Sequence, residues 1–393
     1  MATHKRSPKS ATKARKSAPV NKLKLDKPQF YPVVLAGGRG TRFWPLSRRK
    51  KAKQLLPLNS EQSMIQETVA RLLPVAEARN VWIITNSDLA ENISRQLRQV
   101  SKKQILAEPM GRNTAPAIGL AAFILLHRDP DAILGLFPSD HVIANERRFQ
   151  RDLKLAIEIA NAGENIVVMG IRPTRAETGY GYIETGAEAP GKHYLRVRRF
   201  VEKPDAERAQ QYLEAGNFYW NSGMFVWSAS TLAAALMEYV PETAQTLEEI
   251  ASTYGTPKFE ATFRRLYPKC IDKSVDYAIL EPRSAGGEEA SNIYCIPADF
   301  GWNDLGSWAA HYEHRVAQQS TAGDNVVRAD DTFVLDANGN YIHAPGKFVA
   351  AIGVKDLVIV DAGDALLITT RDRAQDVGKI VKYLDTQKLT KLT

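Results

Sequence analysis

Cysteine is nearly absent from this chain: Cys270 and Cys295 are the only two thiols among 393 residues. Two distant thiols exclude a disulfide framework, cannot form a Cys-x-x-Cys metal pair, and point to a reducing compartment, hence a cytoplasmic location. Long hydrophobic runs are lacking as well. The longest, Ala115–Leu126, contains Pro116 and Gly119 and falls short of the roughly 18 to 20 residues that span a bilayer, so it predicts a buried helix and no membrane contact. No Gly-Lys-Ser/Thr occurs, which excludes a Walker loop, and no Gly-x-Ser-x-Gly elbow supports serine hydrolase chemistry.

Charge of one sign is also missing once the N-terminus is set aside. Met1–Lys27 holds nine of the 52 basic residues and one of the 44 acidic ones, so the whole formal excess of +8 lies there. The remaining chain is neutral, which argues against a general nucleic-acid surface. The segment 1–28, rich in Lys, Ser, Ala and Pro and without an apolar core, reads as a disordered tail and not as a secretory signal. If instead it drove nucleic-acid binding, that affinity would vanish on its deletion and fall steeply with salt.

What remains has the composition of a folded protein, with 44% hydrophobic and 24% charged residues, and enough length for two or three domains. Apolar runs at Phe30–Ala36, Val81–Thr85, Ala132–Phe137 and Ile166–Gly170 predict strands. Amphipathic stretches at Ser63–Leu73, Thr114–Leu126 and Phe149–Asn161 predict helices between them. Strands with few polar residues, separated by helices, indicate an α/β, mostly parallel sheet covered on both faces, with ligands at the carboxyl ends of its strands. Residues 29–318 make up this part. From 319 to 393 short β runs, Thr332–Leu335, Phe348–Ile352, Leu357–Val360 and Leu366–Ile368, are divided by Asn338-Gly339, Pro345-Gly346, Asp356 and Gly363-Asp364, and Ala374–Leu384 closes the chain as a helix. That texture predicts a small β domain.

Chemistry-bearing residues fall just after the predicted strands. Leu35-Ala-Gly-Gly-Arg-Gly-Thr-Arg-Phe-Trp-Pro-Leu-Ser47 follows the first. Gly37, Gly38 and Gly40 allow a tight turn whose amides approach an anion, and Arg39 and Arg42 add forked donors, the makings of a polyphosphate cradle. Phe43 stands where a dinucleotide fingerprint needs its third glycine. Lys53 lies in the basic run Arg48–Lys53, where it either reaches back to phosphate or belongs to a solvated face. Asp140, in Phe137-Pro-Ser-Asp-His141, sits at the carboxyl edge of the sheet, either as a ligand for Mg²⁺ or as a helix cap. Asp304, in Gly301-Trp-Asn-Asp-Leu-Gly-Ser-Trp308, is its candidate partner, or a turn residue before a helix starting near Ser307. Gly179-Tyr-Gly-Tyr-Ile-Glu184, Val201-Glu-Lys-Pro204 and Trp220–Trp227 mix amides, carboxylates and rings in a way that suits a sugar. His311 and His314, one turn apart, read as a solvated helix face in preference to a metal pair.

Taken together, Leu35–Ser47, Ala107–Ile118, Phe137–His141, Gly179–Glu184, Glu202-Lys-Pro204, Trp220–Phe225, Ser274–Ile279 and Gly301–Trp308 resemble, in matching order, the mannose-1-phosphate guanylyltransferase family. The resemblance covers Phe30 to Trp308. It implies a Rossmann-like nucleotidyltransferase domain that joins GTP and mannose 1-phosphate into GDP-mannose with Mg²⁺, and a left-handed β-helix-like C-terminal domain through which a homodimer would form. By motif, Gly37, Gly38, Arg39, Gly40, Thr41 and Arg42 would hold the triphosphate and Lys53 would contact phosphates where they react. Glu108, Asn113 and Thr114 would lie beside the nucleoside. Gly181, Glu202 and Asn221 would contact the sugar, Lys203 its phosphate, and Asp140 and Asp304 the metal. Arg42, Lys53, Asp140 and Asp304 would thus be the catalytic set. Relatives usually have proline before the loop lysine, whereas Ala52 stands here. By the residues alone, a sibling enzyme using UTP, dTTP or ATP with glucose 1-phosphate, or a nucleotide-sugar sensor without turnover, stays open.

Overall fold

The computed structural model describes Met1 and residues 29–188, 193–319 and 324–393. The basic tail expected over 1–28 lies outside the described residues apart from Met1. Among the described residues fifteen strands follow in chain order: β1 (Phe30–Leu35), β2 (Trp82–Asn86), β3 (Ile105–Glu108), β4 (Ile133–Pro138), β5 (Val142–Ile143), β6 (Ile166–Ile171), β7 (Tyr182–Glu188), β8 (Leu195–Val201), β9 (Phe218–Ser228), β10 (Ile293–Ala298), β11 (Trp302–Asn303), β12 (Val326–Leu335), β13 (Tyr341–Ile352), β14 (Leu357–Asp361) and β15 (Leu366–Thr370). Nine of them form one mixed sheet in the order β3-β2-β1-β4-β9-β6-β10-β8-β7. β1 pairs in parallel with both β2 and β4, β2 with β3, and β6 with β10. β9 runs antiparallel between β4 and β6.

The strands read as continuous apolar runs because both faces are covered. Val33, Trp82 and Ile84 point into one core with the helix Thr114–Arg128, while Val34 and Ile83 point into the other with the helices Met64–Leu72 and Glu146–Asn161. Ala115–Leu125 is buried throughout, as an all-round apolar helix must be. Ser63 starts the helix Met64–Leu72 with a capping box to Gln66, which satisfies two of the amides that a helix start leaves open. The parallel strands β1, β2, β3 and β4 therefore deliver residues 36–42, Asn86, Glu108 and 138–141 to a single edge.

The C-terminal strands form a separate four-stranded sheet, β12-β13-β14-β15. β12, β13 and β14 pair in parallel, coil upon coil, and β15 returns antiparallel. Fully buried Asn340 ties the coils together: its Nδ2 donates to Asn325 Oδ1 at 2.7 Å and to the Val354 carbonyl at 3.0 Å, and its Oδ1 accepts from the Leu357 amide at 2.9 Å. Pro345-Gly346 does not end a strand as the sequence reading expects. β13 runs through it, with a register shift between Ala329 and Asp331 of β12 absorbing the irregularity. The closing helix begins as a 3₁₀ turn, Arg371–Asp376, before Val377–Thr386. Phe43, Trp44 and Trp308 share a core with Tyr341, Val358 and Val377, so the C-terminal part packs directly on the glycine loop.

Candidate active site

The loop after β1 has its carbonyls tied back and its amides free. Thr85 Oγ1 and Gln54 Nε2 donate to the Ala36 carbonyl at 2.9 and 2.8 Å, Asn86 Nδ2 to Gly37 at 3.0 Å, Gln54 Nε2 to Gly38 at 3.1 Å, and Ser47 Oγ to Gly40 at 2.7 Å. Among the described residues no acceptor meets the N–H groups of Gly37, Gly38, Arg39 or Gly40. Open amides on a loop whose oxygens are locked away form an anion-binding concavity. Gly38 faces open space, whereas Gly40 is required by packing: its φ is +64°, and a Cβ there would stand 2.3 Å from Lys53 Cβ. Phe43 and Trp44 anchor the far end in the core. Arg42 and Arg39, both on the loop, reach the C-terminal segment, Arg42 at Gln375 and Arg39 at Asp385.

Lys53 is no part of a solvated face. It is 4% exposed, and its Nζ donates to Asp140 Oδ2 at 2.8 Å, to the Asp140 carbonyl at 3.1 Å and to the Asp304 carbonyl at 2.6 Å, and lies over the Phe43 ring, 5.4 Å from its centroid. The lysine therefore brings together two aspartates 164 positions apart in sequence. Burial alone would raise the Asp140 pKa, but the charge of Lys53 and then of His141 hold it below the ordinary value. Asp304 Oδ1 accepts from Tyr180 Oη at 2.8 Å, and a Cβ at Gly306 would touch both Asp304 Oδ2 and Arg42 Nη1, at 3.1 and 3.6 Å. Arg42, Lys53, Asp140 and Asp304 thus face one cleft. Two carboxylates suit a hard cation that takes its other ligands from phosphate and water. Among the described residues no cluster of three or more His, Cys, Asp or Glu side chains forms a metal cage.

On the loop's other flank, Glu108 closes β3 with its carboxylate near Gly37, at 3.6 Å from where a Cβ would lie. Tyr267 Oη donates to Glu108 Oε1 at 2.6 Å. Burial pushes the Glu108 carboxyl up to about 7 despite that hydrogen bond. Asn113, at φ +62°, caps the helix Thr114–Arg128, and Thr114 Oγ1 accepts from the Val275 amide at 2.9 Å, locking the segment 273–276 to this helix start.

That segment carries Asp276 into a second cluster, with Gly181, Glu202 and Asn221. Asn221 Nδ2 donates to Asp276 Oδ1 at 2.8 Å, and the Asn221 amide donates to the Gly181 carbonyl at 2.8 Å. Gly181 is bare because any Cβ would meet Glu202 Oε2 at 2.4 Å. Burial, followed by the neighbouring Glu202, pushes the Asp276 carboxyl up to about 6. Lys203 stands exposed at φ +47° with its Nζ 3.1 Å from Glu202. Tyr180 meets both Trp220 and Trp302 edge-on, at 5.2 and 5.5 Å, and Trp302 Nε1 reaches His141 Nδ1 at 3.1 Å. This ring wall links that cluster to the aspartates.

Sequence reasoning assigned no role to Tyr180, Tyr267, His141, Trp302, Asp276, Gln375 or Asp385. Tyr180, His141, Trp302 and Asp276 lie inside motifs already quoted, so proximity to Gly181, Asp140, Asp304 and Ser274 was an available signal. Tyr267, Gln375 and Asp385 had none. His311 departs from expectation: it is 3% exposed, not on a solvated face, while half-buried His314 bonds Asn59 and Gln318.

The model of the nucleotidyl transferase family matches residues 31–321, and that of the MannoseP isomerase/GMP-like β-helix domain matches 330–384. A Salmonella muenchen protein named mannose-1-phosphate guanylyltransferase is 39% identical over 91% of the chain and 73% of its own length. The Pseudomonas aeruginosa alginate biosynthesis protein AlgA is 38% identical over 91% of the chain and 72% of its own. A solved structure from Thermus thermophilus, described as a mannose-1-phosphate geranyltransferase, superposes with a TM-score of 0.79 at 30% identity, covering 91% of the chain and 99% of that structure.

Proposed function

The chain belongs to the nucleotidyl transferase family, and from that premise we propose that it transfers guanylyl from GTP to mannose 1-phosphate, giving GDP-mannose and pyrophosphate. The observation that carries the reading is Lys53, bonded at once to Asp140 and to the Asp304 carbonyl beside a loop of free amides. The sugar-phosphate oxygen is already anionic, so the in-line attack on the α-phosphorus needs no general base. What the protein must supply is position and charge neutralisation. Two like unit charges at 4 Å repel by about 4 kcal/mol at an effective dielectric near 20. The amides of 37–40, with Arg39, Thr41 and Arg42, hold the triphosphate; Lys53 moves between Asp140 and phosphate; Lys203 takes the sugar phosphate. Gly181, Glu202 and Asn221 line the sugar side, and Glu108, Asn113 and Thr114 the nucleoside side.

Asp140 and Asp304 would hold Mg²⁺, which when bound screens the phosphate charges and orients the leaving pyrophosphate. The donor set fits, since both groups are hard carboxylates with Lys53 as the present counter-charge of Asp140.

We place the catalytic unit at 29–318 and the β unit at 319–393, in a cytoplasmic homodimer formed through the latter. Exposed Phe333, Leu335, Phe348, Ile352, Leu366 and Ile368 support that interface. No described helix is long and apolar enough to cross a membrane.

The test is pyrophosphate release from GTP, UTP, dTTP and ATP, each against mannose 1-phosphate and glucose 1-phosphate, with and without Mg²⁺. Preference for GTP with mannose 1-phosphate is expected. Preference for another pair would make the chain a sibling enzyme, and binding without release a sensor.

A further inference from the structure

Between the catalytic part and the β unit lies a second basic site that the transfer reaction does not use. Two adjoining cavities of about 290 and 170 Å³ share Pro57, Leu58, His311, Arg328 and Tyr341 as walls. Strand register sets the β side: Val326 pairs with Tyr341 and Arg328 with His343, so the four side chains share one face of β12 and β13. On the other side, the helix Trp308–Gln319 contributes His311 and Arg315, and the chain after the glycine loop contributes Lys51 and residues 56–61.

The charge here is mostly positive. Lys51, Arg315 and Arg328 line the cavities against the single acid Glu61. Among the described residues none of these three cations has a carboxylate partner, although most arginines of this chain do. Arg315 donates only to the Asn59 carbonyl, at 3.3 Å. His311 Nδ1 is buried with no hydrogen-bond partner, in a ring contact of 5.2 Å with Tyr341. Burial, followed by the charge of Arg315, holds the His311 pKa down at about 3, and burial with Arg328 holds His343 at about 4. Both imidazoles are therefore neutral near pH 7, and the positive charge comes from the arginines and the lysine. A cavity whose forked donors have no carboxylate partner, faced by one acid, is suited to a phosphoryl anion.

We propose that this junction binds a small phosphorylated anion, inorganic phosphate or a sugar phosphate ester, at Arg328, Arg315 and Lys51 with His311. The site adjoins Lys53 through one shared ring. Phe43 meets His311 edge-on at 6.4 Å and holds Lys53 Nζ over its own ring, and Leu56–Leu58 of the cavity wall follow Lys53 by only a few residues.

The binding claim stands whichever nucleotide and sugar the active site uses. Isothermal titration of the full chain with inorganic phosphate, and separately with a hexose 6-phosphate, at constant ionic strength tests it. Arg42→Ala, which weakens the active site's own hold on phosphate, should leave this site's binding intact. Arg328→Gln with Lys51→Gln, added to that background, should weaken it by about 10-fold or more, as expected for losing charge-assisted hydrogen bonds. Both positions are exposed, so circular dichroism should confirm an unchanged fold. Tighter binding of the hexose phosphate identifies the ester as ligand; equal affinity identifies the phosphoryl group alone. Unchanged affinity in the Arg328→Gln, Lys51→Gln protein, or loss of all binding with Arg42→Ala alone, overturns the proposal.

Discussion

Arg42 Nη1 donates to the side-chain oxygen of Gln375 at 2.8 Å, joining residues 333 positions apart. Arg39 reaches Asp385 in the same C-terminal segment at 3.1 Å, with both side chains over a third exposed. The two arginines of the glycine loop are thus both held by the C-terminal segment. An exposed pair of this kind contributes about 0.2–1 kcal/mol. Asp385→Ala should therefore free Arg39 and lower the KM for the nucleotide by about 1.5- to 5-fold, with the melting temperature nearly unchanged. A raised KM in steady-state kinetics would show that Asp385 positions Arg39 for phosphate and does not compete with it.

Lys53 is the group with the most partners in the cleft. Lys53→Met keeps the side chain's length and apolar stem while deleting the charge, and turnover should fall by about 10²–10³, the cost of one stabilising donor. Arg42→Ala and Asp140→Ala should lose a comparable amount with the fold retained. Lys53→Arg should not rescue, because the buried lysine is packed against the bare α-carbon of Gly40. Near-normal turnover of Lys53→Met, checked by pyrophosphate release, would remove Lys53 from the reaction.

Much of this candidate site was legible because a parallel sheet concentrates polar residues in short segments at the carboxyl ends of its strands. Gly37–Arg42 and Asp140 each follow an apolar strand that could be recognised from its composition, whereas Glu108 came from the resemblance alone and ends the short strand β3. Lys53 was ambiguous: a basic run looks the same whether one member is buried or none, and only the approach of Asp140 and Asp304 from distant segments separates the cases. Tyr267, Gln375 and Asp385 were not legible at all, since their contacts depend on how a distant helix or the β unit docks. The two cavities at the junction were hidden for the same reason, and His311 looked like surface because the strands that cover it come later in the chain. Pro345-Gly346 misled in the opposite direction, because a bulge lets a strand pass through turn residues.

The carboxyl of Glu108 makes stability depend on pH with a definite sign. Its folded pKa is about 7 against an ordinary 4.5, so between those values the folded protein binds more protons than the unfolded chain. Stability from this group is fully present below about pH 4.5 and is lost as pH rises through 7, by an amount on the order of 3 kcal/mol. Glu108→Gln should flatten that part of the profile. Urea unfolding at pH 5 and pH 8 measures it: the difference between the two pH values should be smaller in the variant, and an identical difference would mean that Glu108 is already ionised at pH 5.

Ala52 precedes Lys53 with φ −66° and ψ 164°, the φ that a proline ring would impose. Its N–H donates to no acceptor among the described residues, and Lys51 before it is bridged to Arg48 in an extended conformation, which a following proline tolerates. The backbone around Lys53 is therefore already set without the ring, by Gly40 packing on one side and the Asp140 and Asp304 contacts on the other. Ala52→Pro should then act chiefly on the unfolded chain, raising stability by about 0.4–1 kcal/mol with turnover unchanged. The opposing effect is steric, because residue 52 is fully buried and the ring adds two carbons. A higher urea midpoint with the same turnover is the expected result. A lower midpoint would show that the core beside Leu55 and Ile65 has closed around alanine, so that proline at this position requires a different packing of the loop.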